Sequence, residues 1–358
     1  MPVSESIQQA AWRRLKKNKG GVFGIVIITL SVLVAIFAYF IAPDDSPFAN
    51  RMTVEIGGKN PGYTQQFLLV KKETMTTSNG FFSRLLYGHE EGYTYIPVNS
   101  YQQRADSVVV QKYIDDGIEE RMAFPLQAVA PGVMSKKFLL GTDKYGRDIL
   151  SRLIIGTRVS LSVGLIAVII SLTTGIVLGA LAGYFGGRTD DIIMWFINVI
   201  WSIPTLLLVF AITFLLGKGF WQVFIAVGLT MWVTVARIVR GQVLGVRELE
   251  YVEAARALGY TQARIIFRHI LPNIAGPVLV VGASNFASAI VIEAGLSFLG
   301  VGVQPPQPSW GLMIKENYNF IITHNPMLAL APGFAIMLLV LAFNLLGNGL
   351  RDALNARA

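Results

Sequence analysis

The chain has 358 residues, of which 53% are hydrophobic and 15% charged, with a formal net charge of +8 and no cysteine. Soluble domains run at roughly 45–50% apolar and about 25% charged, so the apolar excess, with a mean hydropathy of +0.54, points to a membrane protein. Disulfides, thiolate metal sites and cysteine nucleophiles are excluded, and His89, His269 and His324 are too scattered for a zinc site.

The basic residues Arg13, Arg14, Lys16, Lys17 and Lys19 form an arm (1–21) ahead of the first apolar run, residues 22–42. That run exceeds a signal-peptide core of about 7–15 residues. At about 1.5 Å per residue it crosses a hydrocarbon layer of about 30 Å, so it reads as an uncleaved spanning helix.

Residues 43–140 differ in kind. They are polar, balanced in charge and dotted with turn signals such as "GGKNPG" and "HEEG". The runs "QFLLV", "YTYIPV" and "DSVVVQKYI" alternate in part, which predicts a small β or α+β insert between the first two spans. In "GTDKYGRDILSRLIIGTR" (141–158), apolar Ile149, Leu150, Leu153 and Ile154 recur at helical spacing among Asp148, Ser151 and Arg152. That pattern predicts an interfacial amphipathic helix.

Five further apolar segments follow, at 159–181, 192–216, 220–235, 274–299 and 328–346, within a core at 159–350. The expected fold is all-α and polytopic, with six transmembrane helices. Pro204 predicts a kink in the third span, and Trp310, after the stiff "GVGVQPPQPS" loop, is expected at the membrane interface. Arg237, Arg240, Arg247, Arg256, Arg264 and Arg268 lie between the fourth and fifth spans, and Arg351 and Arg357 in the tail (351–358). With the basic arm they fall on one side, the pattern of cytoplasmic loops. Charge asymmetry therefore accounts for the basic balance without nucleic acid, and both termini are expected in the cytoplasm.

The cytoplasmic loop 247–272 contains "EAARALG". Residues 250–258 are good helix formers, Gly259 fits a left-handed cap, Thr261 caps a second helix over 262–270, and Pro272 is expected to interrupt the pattern. Physics alone leaves two readings: a basic loop against anionic lipid, or a docking element for a soluble partner.

The spacing from Glu253-Ala254-Ala255 through Gly259 to Leu271-Pro272 resembles the EAA signature of ABC importer permeases, with His269 where the general signature has Ile. "GTDKYGRDILSRLIIGTRVSLSVGL", "LAGYFGG", "EAGLSFLGVGVQPPQPSWG" and "GNGLRDALN" are similar to the second permease subunit of dipeptide, oligopeptide and nickel importers. The resemblance implies a type I ABC importer permease fold in a bacterial inner membrane. It implies a second homologous permease, one or two ABC ATPase subunits and an extracytoplasmic solute-binding protein as partners, besides membrane lipid. It also implies ATPase coupling through Glu253, Ala254, Ala255, Gly259, Arg256, Leu271 and Pro272.

No G-x-x-x-x-G-K-[ST] motif and no catalytic grouping is present. This chain is therefore not expected to be an enzyme or to hold a cofactor, with ATP and Mg bound by the partner ATPase. Glu293, inside the fifth span, must face protein or water. Two roles are open to it: a polar group on the translocation pathway, or an interhelical polar contact.

Overall fold

The computed structural model describes residues 7–72, 80–90, 92–217, 219–322 and 325–355. Parts of the expected arm (1–21), insert (43–140) and tail (351–358), with His324, lie outside the described residues. The N-terminal helices are α1 (Ile7–Lys17), α2 (Lys19–Ile36), α3 (Ala38–Ile41) and α4 (Phe81–Tyr87). Next come α5 (Ile149–Phe185), α6 (Gly187–Trp201), α7 (Thr205–Leu216), α8 (Phe220–Val246), α9 (Glu250–Ala257) and α10 (Gln262–Ile265). The last are α11 (Leu271–Phe298), α12 (Trp310–Asn317) and α13 (Met327–Asn355).

Among the described residues, 5 helices are long and apolar enough to cross a membrane, and 6 spans result if α6 and α7 count as one. The expected kink at Pro204 is a full break: α6 and α7 meet at 92°. Pro204 adopts φ −53° and ψ 125°, outside the helical region, and its ring supplies no N–H to continue the ladder.

The chain divides into two units. The first comprises Met1–Ser31, Ser160–Gln304 and Ile336–Ala358. In it Gly175, Gly179 and Gly183 recur every fourth residue on α5. Cβ atoms at Gly175 and Gly179 would lie 2.5 Å from the Val235 Cβ and 2.4 Å from the Ala236 carbonyl oxygen of α8. Small residues here let two helices approach to backbone contact, which is how spanning helices associate in lipid. Gly24 does the same against α13, where a Cβ would meet the Ala342 carbonyl oxygen at 2.5 Å.

The second unit comprises Val32–Val159 and Pro305–Ala335. It contains the insert as an antiparallel five-stranded sheet of order β4-β3-β2-β1-β5. The strands are β1 (Tyr63–Lys71), β2 (Tyr93–Gln103), β3 (Ser107–Asp115), β4 (Ile118–Pro125) and β5 (Val129–Phe138). Phe67 and Leu68 are neighbours and point to opposite faces. Phe67 packs with Ile56, Tyr113 and Phe138, and Leu68 with Val98, Val108, Val110 and Val129.

The same unit corrects two expectations. Residues 141–158 do not form a separate interfacial helix: residues 141–148 are a loop, and Ile149 begins the continuous 37-residue α5. Its polar side chains face inward rather than toward headgroups. The Arg147 Nε donates to Asp143 at 2.6 Å and its Nη2 to Glu316 of α12 at 2.7 Å. Arg152, only 1% exposed, also reaches Glu316, at 3.5 Å. Asp148 caps α5 by accepting from the Ser151 N–H at 3.0 Å. Gly146, with φ +71°, lets this loop press on the Thr53 backbone, where a Cβ would have no room. Trp310 is likewise buried, not at an interface: its Nε1 donates to the Leu153 carbonyl at 3.0 Å, beside Gly156.

Candidate functional site

The polar break in the oily chain folds as a compact module on the first unit. Helix α9 ends in two hydrogen bonds, from Tyr260 N–H to the Ala255 carbonyl at 3.1 Å and from Gly259 N–H to the Arg256 carbonyl at 3.0 Å. This is the Schellman arrangement, and it requires the left-handed φ of +76° that Gly259 adopts. Thr261 then accepts from the Arg264 N–H, capping α10 as its sequence position suggests.

The second helix departs from expectation. It does not stop at Pro272: α10 passes through a π turn over Ile266–Ile270 directly into α11. Pro272 follows directly on that π turn, whose wider ring leaves room for a residue that supplies no N–H to the ladder. The wider turn absorbs the junction, and Asn273 donates its side-chain amide to the His269 carbonyl at 2.6 Å. The module is thus an extension of the fifth span. His269, the departure from the general signature, stacks on Tyr260 with ring centroids 5.9 Å apart, and Arg264 covers the same ring.

Burial divides the module into two faces. Val252, Ala255, Ile265, Ile266 and Ile270 join Ala180 and Tyr184 of α5 and Val239 and Val243 of α8 in one buried cluster. Arg247 donates to the Gly183 carbonyl at 2.9 Å and to the Tyr184 carbonyl at 3.3 Å, satisfying the last turn of α5. Ala255, expected as a docking contact, therefore holds the module to the spanning helices; small size lets α9 lie close. Glu253, Ala254, Arg256 and Gly259 are exposed, as is Pro272, while Leu271 is half-buried. Glu253 and Arg256 line a cleft of about 390 Å³ with Arg247, Glu248 and Gln262.

Two apolar residues absent from the expected set stand beside these charges: Leu258 is 72% and Phe267 70% exposed. The signal for both was in the sequence, since an apolar side chain just before a helix-ending glycine and one on a basic helix need a reason to face outward.

Glu293 lies apart from this module and is fully buried. Ser297, one turn later on α11, donates to its carboxylate at 2.6 Å and accepts from the Val303 N–H at 3.0 Å. The carboxylate thus anchors the turn that ends the fifth span. Among the described residues no group of acidic, histidine or cysteine side chains is placed to hold a metal.

Several apolar helices long enough to span, packed through glycines and bearing one polar module rooted in their ends, define a polytopic membrane protein. The chain belongs to the family of binding-protein-dependent transport system inner membrane components, whose model matches residues 175–358, and residues 6–53 match the N-terminal transmembrane domain of oligopeptide transport permease C. It is a permease subunit of an ABC importer and not an enzyme; ATP hydrolysis belongs to a separate ATPase subunit, and a binding protein to the same system.

Among curated relatives, the glutathione transport system permease GsiD of Pectobacterium atrosepticum is 43% identical over 61% of this chain and 72% of its own length. The oligopeptide transport system permease OppC of Bacillus subtilis is 40% identical over 62% and 73%. The dipeptide transport system permease DppC of Lactococcus lactis is 30% identical over 99% of this chain and 91% of its own. That last similarity runs through the insert, which is therefore not peculiar to this chain.

Proposed function

We propose that this chain is one of two homologous permease subunits of an importer for peptides or related small solutes, and that the α9–α10 module docks on an ATPase. The observation that carries the reading is the division of the module. One face is rooted in the ends of α5, α8 and α11 through Val252, Ala255 and Ile270. The other presents Glu253, Arg256, Leu258 and Phe267 to the outside. Apolar anchors ringed by charges of both signs are what a protein partner recognises, whereas an anionic lipid surface would repel the exposed carboxylates of Glu248 and Glu253. A push on this outer face reaches three spanning helices through packed side chains rather than through a flexible loop.

The relatives' names concern glutathione, oligopeptides and dipeptides, which supports solutes of that class. The arginines from Arg237 to Arg268 and the basic arm support cytoplasmic termini and a cytoplasmic module. One or two ATPase subunits would bind ATP and Mg, a solute-binding protein would deliver on the other side, and the cavity between the two permeases would open to each side in turn.

The test is co-purification and uptake in proteoliposomes with the complete transporter. Glu253→Lys and Leu258→Asp should each weaken ATPase retention by about tenfold or more, the usual effect of losing an interface anchor, with the permease still inserted. Normal retention and uptake in both variants would sink the docking assignment. ATP-independent uptake by this chain alone would sink the importer reading.

A further inference from the structure

Within the first unit, α7, α8, α11 and α13 line an open cavity of about 600 Å³. That is the size range of small-molecule sites, about 300–1,000 Å³. Its polar lining is made of hydroxyls and primary amides, among them Thr205, Thr234, Ser284, Asn285, Ser288 and Asn344, and no lining residue is ionisable. Thr234, Ser284, Ser288 and Asn344 lie in the middle stretches of helices assigned to cross the bilayer, and all four are exposed in this chain. Ser284 bonds its own helix, but the Asn344 amide facing lipid would lack hydrogen-bond partners, so this face must meet water or another polar surface.

A second feature meets the first. Thr205 opens α7 at the 92° break, beside the exposed residues 202–204. Non-helical backbone at membrane depth is tolerated where it is buried in protein or lines a wet cavity, and Thr205 lines this one.

We infer that this cavity is a wall of the substrate path and reads amide groups without selecting on net charge. The inference rests on the importer reading given above. Peptide bonds present a donor and an acceptor together, and hydroxyls and carboxamides offer both. Asn285 and Ser284 are already oriented, the amide donating to Ser171 at 3.4 Å and the hydroxyl to the Val280 carbonyl at 3.2 Å, which leaves oxygen lone pairs for a ligand N–H. Without a fixed charge the wall holds neither acidic nor basic peptides too firmly to release, the condition for passage through a multi-site path. Glu293, the buried acid of α11, is not part of this lining.

The experiment uses the complete reconstituted transporter and three peptides of equal length carrying negative, zero and positive side-chain charge. The wild type should import all three at saturating binding protein. Asn344→Asp should slow the anionic peptide about tenfold relative to the cationic one, and Asn344→Lys should do the reverse, as expected when a like charge is placed across a desolvated contact. Because the chain has no cysteine, Ser288→Cys adds its single thiol. During turnover that thiol should react with both cationic and anionic thiosulfonate reagents, and substrate should slow the labelling. Equal effects of both Asn344 variants on all three peptides, or a thiol closed to reagent throughout turnover, would mean that a partner helix covers this face and would overturn the inference. If the wild type imports no peptide while ATP is hydrolysed, the importer reading fails instead, and thiol labelling still reports whether the cavity is wet.

Discussion

The insert and the α9–α10 module are both polar interruptions of an apolar chain, and they are stabilised in opposite ways. The insert buries its own strands: Phe67, Tyr113 and Phe138 cover one face of the sheet and Leu68, Val98 and Val110 the other. The module has no core of its own. Every buried residue it contributes packs with α5, α8 or α11 in one cluster. A region that completes its own core can vary without disturbing the spans. A region that borrows its core from the spans cannot move without moving them, which is the property a coupling element needs.

That contrast is broken most forcefully by a charge in the borrowed core. Val252 is fully buried among aliphatic side chains. Val252→Asp should destabilise the first unit by more than about 4 kcal/mol, since a carboxylate there has no partner. Thermal unfolding in detergent and amide exchange should show α5, α8 and α9 loosening together while β1–β5 keep their protection. If only α9 exchanged faster, the module would be a separable appendage. The reciprocal change is Phe67→Ala. It should cost the sheet about 3–5 kcal/mol, the range for emptying a buried aromatic site. Exchange should then rise across the strands, with ATPase retention unchanged.

What was legible in the sequence follows the same division between local and borrowed structure. Gly259 and Thr261 act through bonds within a few residues, and both caps form as their positions suggest. The Asp116-Gly117 pair is an equally local signal. It joins β3 to β4, with Asp115 opposite Ile118 and φ +80° at Gly117, yet the expected strands ended before it, because β4 is charged and hardly alternates. Pro272 misled because its local rule, that proline ends a helix, gave way to a π turn held by the surrounding cluster. Arg152 misled for a related reason. Set with Asp148 and Ser151 among apolar residues at helical spacing, it resembles a headgroup-facing residue, and only Glu316, far along the chain, shows that it is buried. The cavity lining was illegible because scattered Ser, Thr and Asn residues in apolar helices carry no pattern until four helices bring them together.

The smallest effect sharpens the comparison through pH. Glu55, in a turn under the sheet, is bonded by Lys112 of β3 at 2.7 Å. Burial opposes ionisation of Glu55, but the Lys112 hydrogen bond and charge outweigh it and hold the carboxyl below its ordinary value of 4.5. The ionised form is therefore favoured by folding. Its contribution is complete above that ordinary value and disappears as the pH falls through the lower, folded one. The pair is partly solvated, so it is worth about 0.5 kcal/mol. Lys112→Met should lower protection of β1–β3 slightly at neutral pH, and the gap to wild type should close on acidification below the carboxylate range. Helix α9 should show no such gap on acidification, because its buried cluster contains no carboxylate or histidine. Acid profiles of the sheet that are the same with and without Lys112 would remove Glu55 from the account, and a matching gap in α9 would show that the insert and the module share more of their stability than their separate cores imply.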